Sequence, residues 1–315
     1  MRLLPLALLI GCPFPDDDDK DDDTGAGGPV EADLVLLVDN SSSMEDESEA
    51  VALAADELVA AFLADGDREW QVGVTTVTTD PSAGSAGVAG ALVGEPIALG
   101  DADAAERLRE QVLCEATCWN ELELPSDPSY SCGEAATEVS VEYLDCACGV
   151  DAWKDQCGGG DEEGLEAALL AGCRAVEAPP EICYQYASEG GGSVSTVIAG
   201  AEGTNAGLLR GGVAHFLVIS DEGDASPRAA TGDADVAAYV EAFDALGLSW
   251  RFHAFGPAWD GTNGDCLSGA QPWSVERYQN AAVASGGVYV EMTDLAADCA
   301  AADPMDVVAA VLASI

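Results

Sequence analysis

The feature that most constrains the fold is a short aliphatic run that ends in a sequence of acidic and hydroxyl side chains. Residues 34–38 read Leu-Val-Leu-Leu-Val, and Asp39, Ser41 and Ser43 follow at alternate positions. Such an unbroken run is typical of a strand buried on both faces, as in a parallel sheet covered by helices. The polar residues then follow the carboxyl end of the strand, where open α/β sheets bind their ligands.

These three side chains supply one carboxylate and two hydroxyls, which are hard oxygen donors suited to Mg²⁺, Mn²⁺ or Ca²⁺. The alternative is that Asp39 and the serines only cap the next helix. A second carboxylate, Asp221, follows another buried run, Phe216 to Ile219. If the two strands are parallel neighbours, Asp39 and Asp221 meet at one edge of the sheet.

Apolar periodicity elsewhere predicts an alternation of helices and strands. The predicted helices span residues 47–64, 102–113, 163–176, 234–246, 275–285 and 304–315, and the further strands span 70–79, 214–220, 250–255 and 288–291. This alternation indicates an α/β fold with a doubly wound, mostly parallel sheet flanked by helices.

Residues 114–157 differ in character, because they combine little hydrophobic periodicity with six cysteines. We interpret them as an insertion that cannot build its own core and is held by disulfides. A zinc knuckle is the alternative, but the spacing of Cys146 and Cys148 is poor for a metal pair and no histidine lies nearby. The six are Cys114, Cys118, Cys132, Cys146, Cys148 and Cys157.

The first twelve residues predict export. Arg2 precedes an apolar stretch, and Leu-Ile-Gly-Cys at positions 9–12 looks like a bacterial lipobox, which implies cleavage before Cys12 and lipid attachment to it. An ordinary signal peptide with a chance cysteine is the alternative. Without Cys12 ten of the 11 cysteines remain, an even number that fits a disulfide framework. By analogy with bacterial lipoproteins, Pro13 rather than Asp after the cysteine favours the outer membrane.

The acidic composition of the chain limits the kinds of molecule that it can bind. Residues 13–32 hold a dense run of aspartates and form an expected disordered linker. The whole chain has a formal net charge of -47, which repels phosphate backbones and anionic lipid headgroups. We therefore expect no nucleic-acid binding, and contact with the membrane only through the lipid anchor.

The spacing of Asp39, Ser41 and Ser43 resembles the metal-ion-dependent adhesion site of von Willebrand factor type A domains. Asp221 and the stretch 205–210 resemble a bacterial secreted branch of that family, and the likeness covers residues 33–315 except much of 114–157. The resemblance implies that Ser41 and Ser43 ligate Mg²⁺ (or Mn²⁺ or Ca²⁺) directly, and that Asp39 and Asp221 bind directly or through water. A sixth position then stays open for an acidic group of a partner protein or surface glycan.

The chain departs from the family where a threonine ligand is usual, because the matching position is Gly159. Asp161 or Glu162 could supply an oxygen instead, and Glu222 is a further candidate. More carboxylate favours the cation but weakens its pull on an acidic partner. Cys266 and Cys299 resemble a family disulfide, and Cys173 with Cys183 is a second plausible pair.

Catalysis has little support in the sequence. No hydrolase, zinc-protease or phosphate-loop motif occurs, and we expect His215 and His253 to be satisfied structural residues. A haloacid-dehalogenase-like phosphohydrolase needs a second aspartate two residues after the first, where this chain has Ser41. It also needs a lysine, and Lys154 lies in the cysteine-rich insertion. We thus expect a non-enzymatic, cation-dependent binding module. The alternative is a structural envelope lipoprotein with a degenerate metal site that binds partners through the insertion.

Overall fold

One six-stranded sheet forms the centre of the molecule. The structure is a computed structural model that describes residues 29–80, 86–122, 124–133, 138–154, 156–157, 162–184, 199–228, 232–257, 272–292 and 304–314. The strand order is β3-β2-β1-β4-β5-β6, and every neighbouring pair is parallel except β2 and β3. The strands are β1 (Val30–Val38), β2 (Arg68–Thr76), β3 (Ile97–Ala98), β4 (Val213–Ile219), β5 (Ser249–Pro257) and β6 (Tyr289–Met292).

Helices cover both faces of this sheet, which confirms the α/β class and explains why residues 34–38 of β1 are all apolar. Leu34 and Leu36 belong to the core on one face, and Val35 and Leu37 to the core on the other. The first face carries α1 (Glu45–Leu53), α2 (Ala55–Ala64), α3 (Ala104–Glu110) and α8 (Pro304–Ala313). The second carries α5 (Gly164–Ala175), α6 (Ala237–Ala245) and α7 (Pro272–Ser285), while α4 (Val141–Ala147) lies in the insertion.

Several predicted boundaries were wrong. The single helix over residues 47–64 is divided at Ala54, whose ψ is 0°, although the hydrogen bonds from Ala54 N to Ala50 O and from Leu58 N to Ala54 O continue across the break. The helix over residues 102–113 ends in a π-helical turn, Gln111–Glu115. Strand β1 begins at Val30, so residues 30–32 of the expected linker pair with β2.

All six cysteines of the insertion are paired, which confirms disulfides rather than zinc. The pairs are Cys114–Cys148, Cys118–Cys157 and Cys132–Cys146, and the predicted pair Cys173–Cys183 is also present. The insertion has no separate core. Its buried Trp119, Leu144 and Trp153 belong to the same apolar cluster as α1, α2 and α3. A segment this short buries too little surface alone, and it packs on the main domain instead.

The described part of the chain contains no helix long and apolar enough to cross a membrane. Cys12, Asp161, Gly159, Cys266 and Cys299 lie outside the described residues, as does the acidic run of the linker.

Candidate metal site at the carboxyl edge of the sheet

The candidate site lies at the point in the sheet from which successive strands are added first on one side and then on the other. From β1 the order runs to β2 on one side and to β4 on the other, and such a switch point leaves a crevice at the carboxyl ends of the strands. Asp39 directly follows β1, and its amide N donates to Ile219 O at 2.9 Å. Asp221 follows β4 by two residues. The parallel pairing of β1 with β4 thus carries both carboxylates to one edge.

The two serine hydroxyls and Asp221 form a chain of contacts. Ser41 Oγ lies 2.9 Å from Ser43 Oγ, and Ser43 Oγ donates to Asp221 Oδ1 at 3.2 Å. Ser42 lies between them in the sequence and, like Ser43, is exposed. Alternation along the turn after β1 therefore selects Ser41 and Ser43 for the site.

Asp39 is fully buried and held on both oxygens. Oδ1 accepts from the amide N of Ser41 at 2.8 Å, and Oδ2 accepts from the hydroxyl of Ser220 at 2.5 Å. Burial raises the pKa of Asp39 to about 6, against the lowering effect of the bonds from Ser220 and Ser41. Neutral donors rather than a cationic side chain are thus what stabilise its charge.

Further carboxylates surround this pair. Burial raises the pKa of Asp221 to about 8, and the charges of Asp39, Glu47 and Glu222 add to the rise. Glu162 is 3% exposed and lies beside Asp39, and its carboxyl is hydrogen-bonded to that of Glu222. Burial and these neighbours raise its pKa to about 10. Carboxylates this close disfavour each other's ionised form, and a divalent cation would relieve that cost.

The donor set fits a small divalent cation. Neighbouring ligands of an octahedral Mg²⁺ ion, each at about 2.1 Å, lie roughly 3 Å apart. The separations of 2.9 Å and 3.2 Å through Ser41, Ser43 and Asp221 are close to that value. Among the described residues no three side chains of His, Cys, Asp or Glu converge into a metal site by themselves. The set proposed here differs in kind, because two of its four members are hydroxyls.

Asp224, three residues after Asp221, is a buried structural residue. It is 0% exposed and forms the N-terminal cap of α5: Oδ1 accepts from Leu165 N at 3.0 Å and from Ser226 Oγ at 2.6 Å. Its Oδ2 lies 3.6 Å from Nη1 of the buried Arg277. Asp224 therefore anchors the loop that carries Asp221 to the helix that begins beside Glu162.

Sequence reasoning missed two residues of the site. The hydroxyl of Ser220 donates a hydrogen bond to Asp39, and its position directly before Asp221 in the sequence could have indicated this role. Glu47 is buried near Asp221, and the signal was its place four residues after Ser43, one helical turn on.

The insertion reaches the rim of the site. Asn40 Nδ2 donates to Gln156 O at 3.1 Å, and the side chain of Gln156 accepts from Ala86 N at 3.2 Å. Lys154 lies apart from the site chemistry, because its Nζ is 2.7 Å from both Glu121 and Asp151 within the insertion. It does not take the place that a phosphohydrolase lysine would need.

The two histidines lie in β4 and β5, away from the candidate site. His215 Nδ1 and His253 Nε2 are 3.0 Å apart, and the rings are stacked. His253 Nδ1 accepts from Val288 N at 3.2 Å, so both nitrogens of His253 are satisfied as expected. His215 departs from the expectation, because its Nε2 is buried and has no hydrogen-bond partner among the described residues.

Comparison with models of known protein families gave no match, and comparison with curated proteins gave none either.

Proposed function

We propose that residues 33–315 form a von Willebrand factor type A domain that binds Mg²⁺, or Mn²⁺ or Ca²⁺, through Asp39, Ser41, Ser43 and Asp221. The observation that carries the proposal is the chain of contacts from Ser41 through Ser43 to the carboxylate of Asp221, at the switch point of the sheet. The domain then serves as a non-enzymatic, cation-dependent module that binds a protein or a surface glycan.

Each residue has a separate role in this proposal. Ser41 and Ser43 offer hydroxyl oxygens as direct ligands, and Asp221 offers a carboxylate that already accepts from Ser43. Asp39 balances positive charge from a buried position, held by Ser220 and the amide of Ser41. When bound, the cation supplies an electrophilic centre that an acidic oxygen of a partner can complete.

Glu162 and Glu222 change the character of the proposed site. Their carboxyls are hydrogen-bonded to each other, and the charge of Asp39 acts on Glu162. They strengthen retention of the cation and lower its net positive charge toward a partner. We therefore propose a weaker preference for acidic partners than in the integrin type of adhesion.

The compartment follows from the sequence and the cysteines. We propose export, with Cys12 as the lipid-anchored residue and the outer membrane as its location. The four disulfides support an oxidising compartment, because such bonds are rare where thiols are kept reduced.

The test compares two neighbouring serines. We expect millimolar Mg²⁺ to raise the melting temperature of the wild type beyond the effect of NaCl at equal ionic strength, because a ligand of the native state stabilises it by mass action. Ser43→Ala should lose most of this specific rise. Ser42→Ala, an exposed neighbour, should keep it. Equal responses of all three proteins to Mg²⁺ and to NaCl would refute the metal site.

A second candidate function has its own observation. A cavity of about 530 Å³ separates the insertion from α2 and α3, and Tyr130, Tyr143 and Arg109 are among its lining residues. This volume is within the usual range of ligand sites. If partner binding survives a chelator but is lost in Tyr130→Ala, the insertion rather than the metal site carries the function.

A further inference from the structure

A second cavity lies at the opposite edge of the sheet, where the strands begin. Its volume is about 200 Å³, and its lining includes Val30 of β1, Arg68 of β2, Val213 and His215 of β4, and Arg251 of β5. The nine residues of β1 separate this edge from Asp39 by about 30 Å. The cavity is therefore distinct from the candidate metal site.

The hydrogen bonds of the histidine pair determine which nitrogen of His215, a residue that lines this cavity, carries the proton. Because Val288 N donates to His253 Nδ1, the neutral ring of His253 carries its proton on Nε2. That N–H must donate to His215 Nδ1 at 3.0 Å. His215, also neutral, then carries its own proton on Nε2. The result is a buried N–H donor on a residue that is 1% exposed, with no partner among the described residues.

The charges near this donor favour an acceptor that is negative. Burial lowers the pKa of His215 to about 4, and the charges of Arg251 and Arg68 lower it further. Arg68 is bound to Asp65, whereas the bonds of Arg251 within the described part of the chain, to Gly286 O and Ser314 O, both come from Nη1. These are two of only eleven Lys and Arg residues in the chain.

Carboxylates also line the cavity. Glu31 and Asp67 are exposed on its rim, each near the start of its strand. Their negative charges would repel a large polyanion, whereas a small anion can bind inside the cavity without contacting them. The volume is below the roughly 300–1,000 Å³ of sites for larger organic ligands, which again favours a small ion.

We propose that this cavity binds a small oxyanion, either a carboxylate or a phosphate, which accepts a hydrogen bond from His215 Nε2–H and is paired with the Arg251 guanidinium. The site would satisfy the buried donor that the sheet otherwise leaves without a partner. It is independent of the metal site, since the two share no residue.

Nitrogen NMR of the imidazole rings in the full chain tests the proposal. Both histidines should be Nε2–H tautomers at neutral pH. Titration with inorganic phosphate, and separately with acetate, should shift the His215 Nε2 resonance saturably, and chloride at equal ionic strength should not. Of phosphate and acetate, the anion whose titration saturates at the lower concentration is the preferred ligand. An Nδ1–H tautomer at His215, or shifts that do not saturate with either ion, would overturn the proposal.

Two arginine variants add a control. Arg251→Gln should weaken the saturable binding by roughly tenfold or more, because a charge-assisted bond is lost. Arg107→Gln removes an equal charge from an arginine that binds Asp101 and two backbone carbonyls, none of which lines the cavity, and it should leave the binding unchanged. Equal affinity in Arg251→Gln and the wild type would contradict the assigned pairing.

Discussion

The buried titratable groups at the two edges of the sheet have pKa values that are shifted in opposite directions. At the carboxyl edge Asp39, Asp221 and Glu162 have raised pKa values because they are buried beside one another. Near the amino edge His215 and His253 have lowered pKa values because they are buried beside arginine. The charge of the first set is least costly when it is protonated or balanced by a cation, whereas the second set is stable when its rings stay neutral.

The histidine pair should make the protein sensitive to acid. The pKa of His215 is about 4 in the folded chain and near 6.5 unfolded, so the unfolded state binds more protons between these pH values. Stability attributable to His215 is therefore present above pH 6.5 and lost as the pH falls to 4, by roughly 3 kcal/mol at about 1.4 kcal/mol per pKa unit.

Urea unfolding at several pH values measures this effect. His215→Phe keeps a ring against Trp70 but removes the titrating group, so its unfolding free energy should fall less between pH 6.5 and 4 than that of the wild type. The carboxylates titrate in both proteins and cancel in the difference. Parallel pH profiles for the two proteins would show that His215 is not held neutral.

Asp224 should matter for stability rather than for cation binding. Asp224→Ala removes the cap of α5 at Leu165 and leaves the buried Arg277 without its carboxylate, so we expect a loss of about 3 kcal/mol or more. Chemical denaturation measures it. Asp103→Ala is the control, because Asp103 is exposed at the start of α3 and makes no capping bond, and it should cost under about 0.5 kcal/mol. Similar losses in both variants would contradict the structural role.

Strands and helices were more predictable than their ends. The run at residues 34–38 identified a strand buried on both faces, because burial on two sides leaves no room for polar alternation. The division at Ala54 left no trace in the periodicity, since both helices bury the same face. The short antiparallel strand β3 was missed because two residues carry no pattern.

The candidate site was predictable where it depends on strand ends. Asp39 and Asp221 follow apolar runs, and parallel pairing brings such ends together. Glu162 was a candidate only by its place before α5. The contacts of Glu47 and the cap formed by Asp224 depend on the packing of loops against helices, which residue spacing in one sequence does not determine.

Two of the disulfides close loops of similar effective length. Cys118–Cys157 spans a separation of 39 residues, but Cys114–Cys148 already joins the chain four residues before Cys118 and nine before Cys157, whereas Cys173–Cys183 spans 10. In the chain-entropy account each of the two therefore contributes about 3 kcal/mol. Removing either pair with double alanine variants should cost the same to within about 0.5 kcal/mol, measured by urea unfolding. A cost more than about 1 kcal/mol greater for Cys118→Ala/Cys157→Ala would contradict the entropic account.

The whole molecule combines a very acidic surface with two edges of the sheet that have different chemistry. Its net charge of -47 attracts divalent cations everywhere, so a rise in stability with Mg²⁺ alone is weak support for a site. The specific proposal concerns the position of the cation. It places the ion where β1 and β4 end, beside oxygens whose separations match those of neighbouring ligands of Mg²⁺.

Anomalous scattering from a crystal soaked in Mn²⁺ tests that claim most directly, because it locates the ion rather than its effect. We expect one dominant peak within bonding distance of both Ser41 Oγ and Ser43 Oγ, with Asp39 and Asp221 around it directly or through water. Crystals of Ser41→Ala/Ser43→Ala should lose this peak. A Mn²⁺-soaked wild-type crystal with no peak there, or with its strongest peaks only on surface carboxylates elsewhere, would contradict the account.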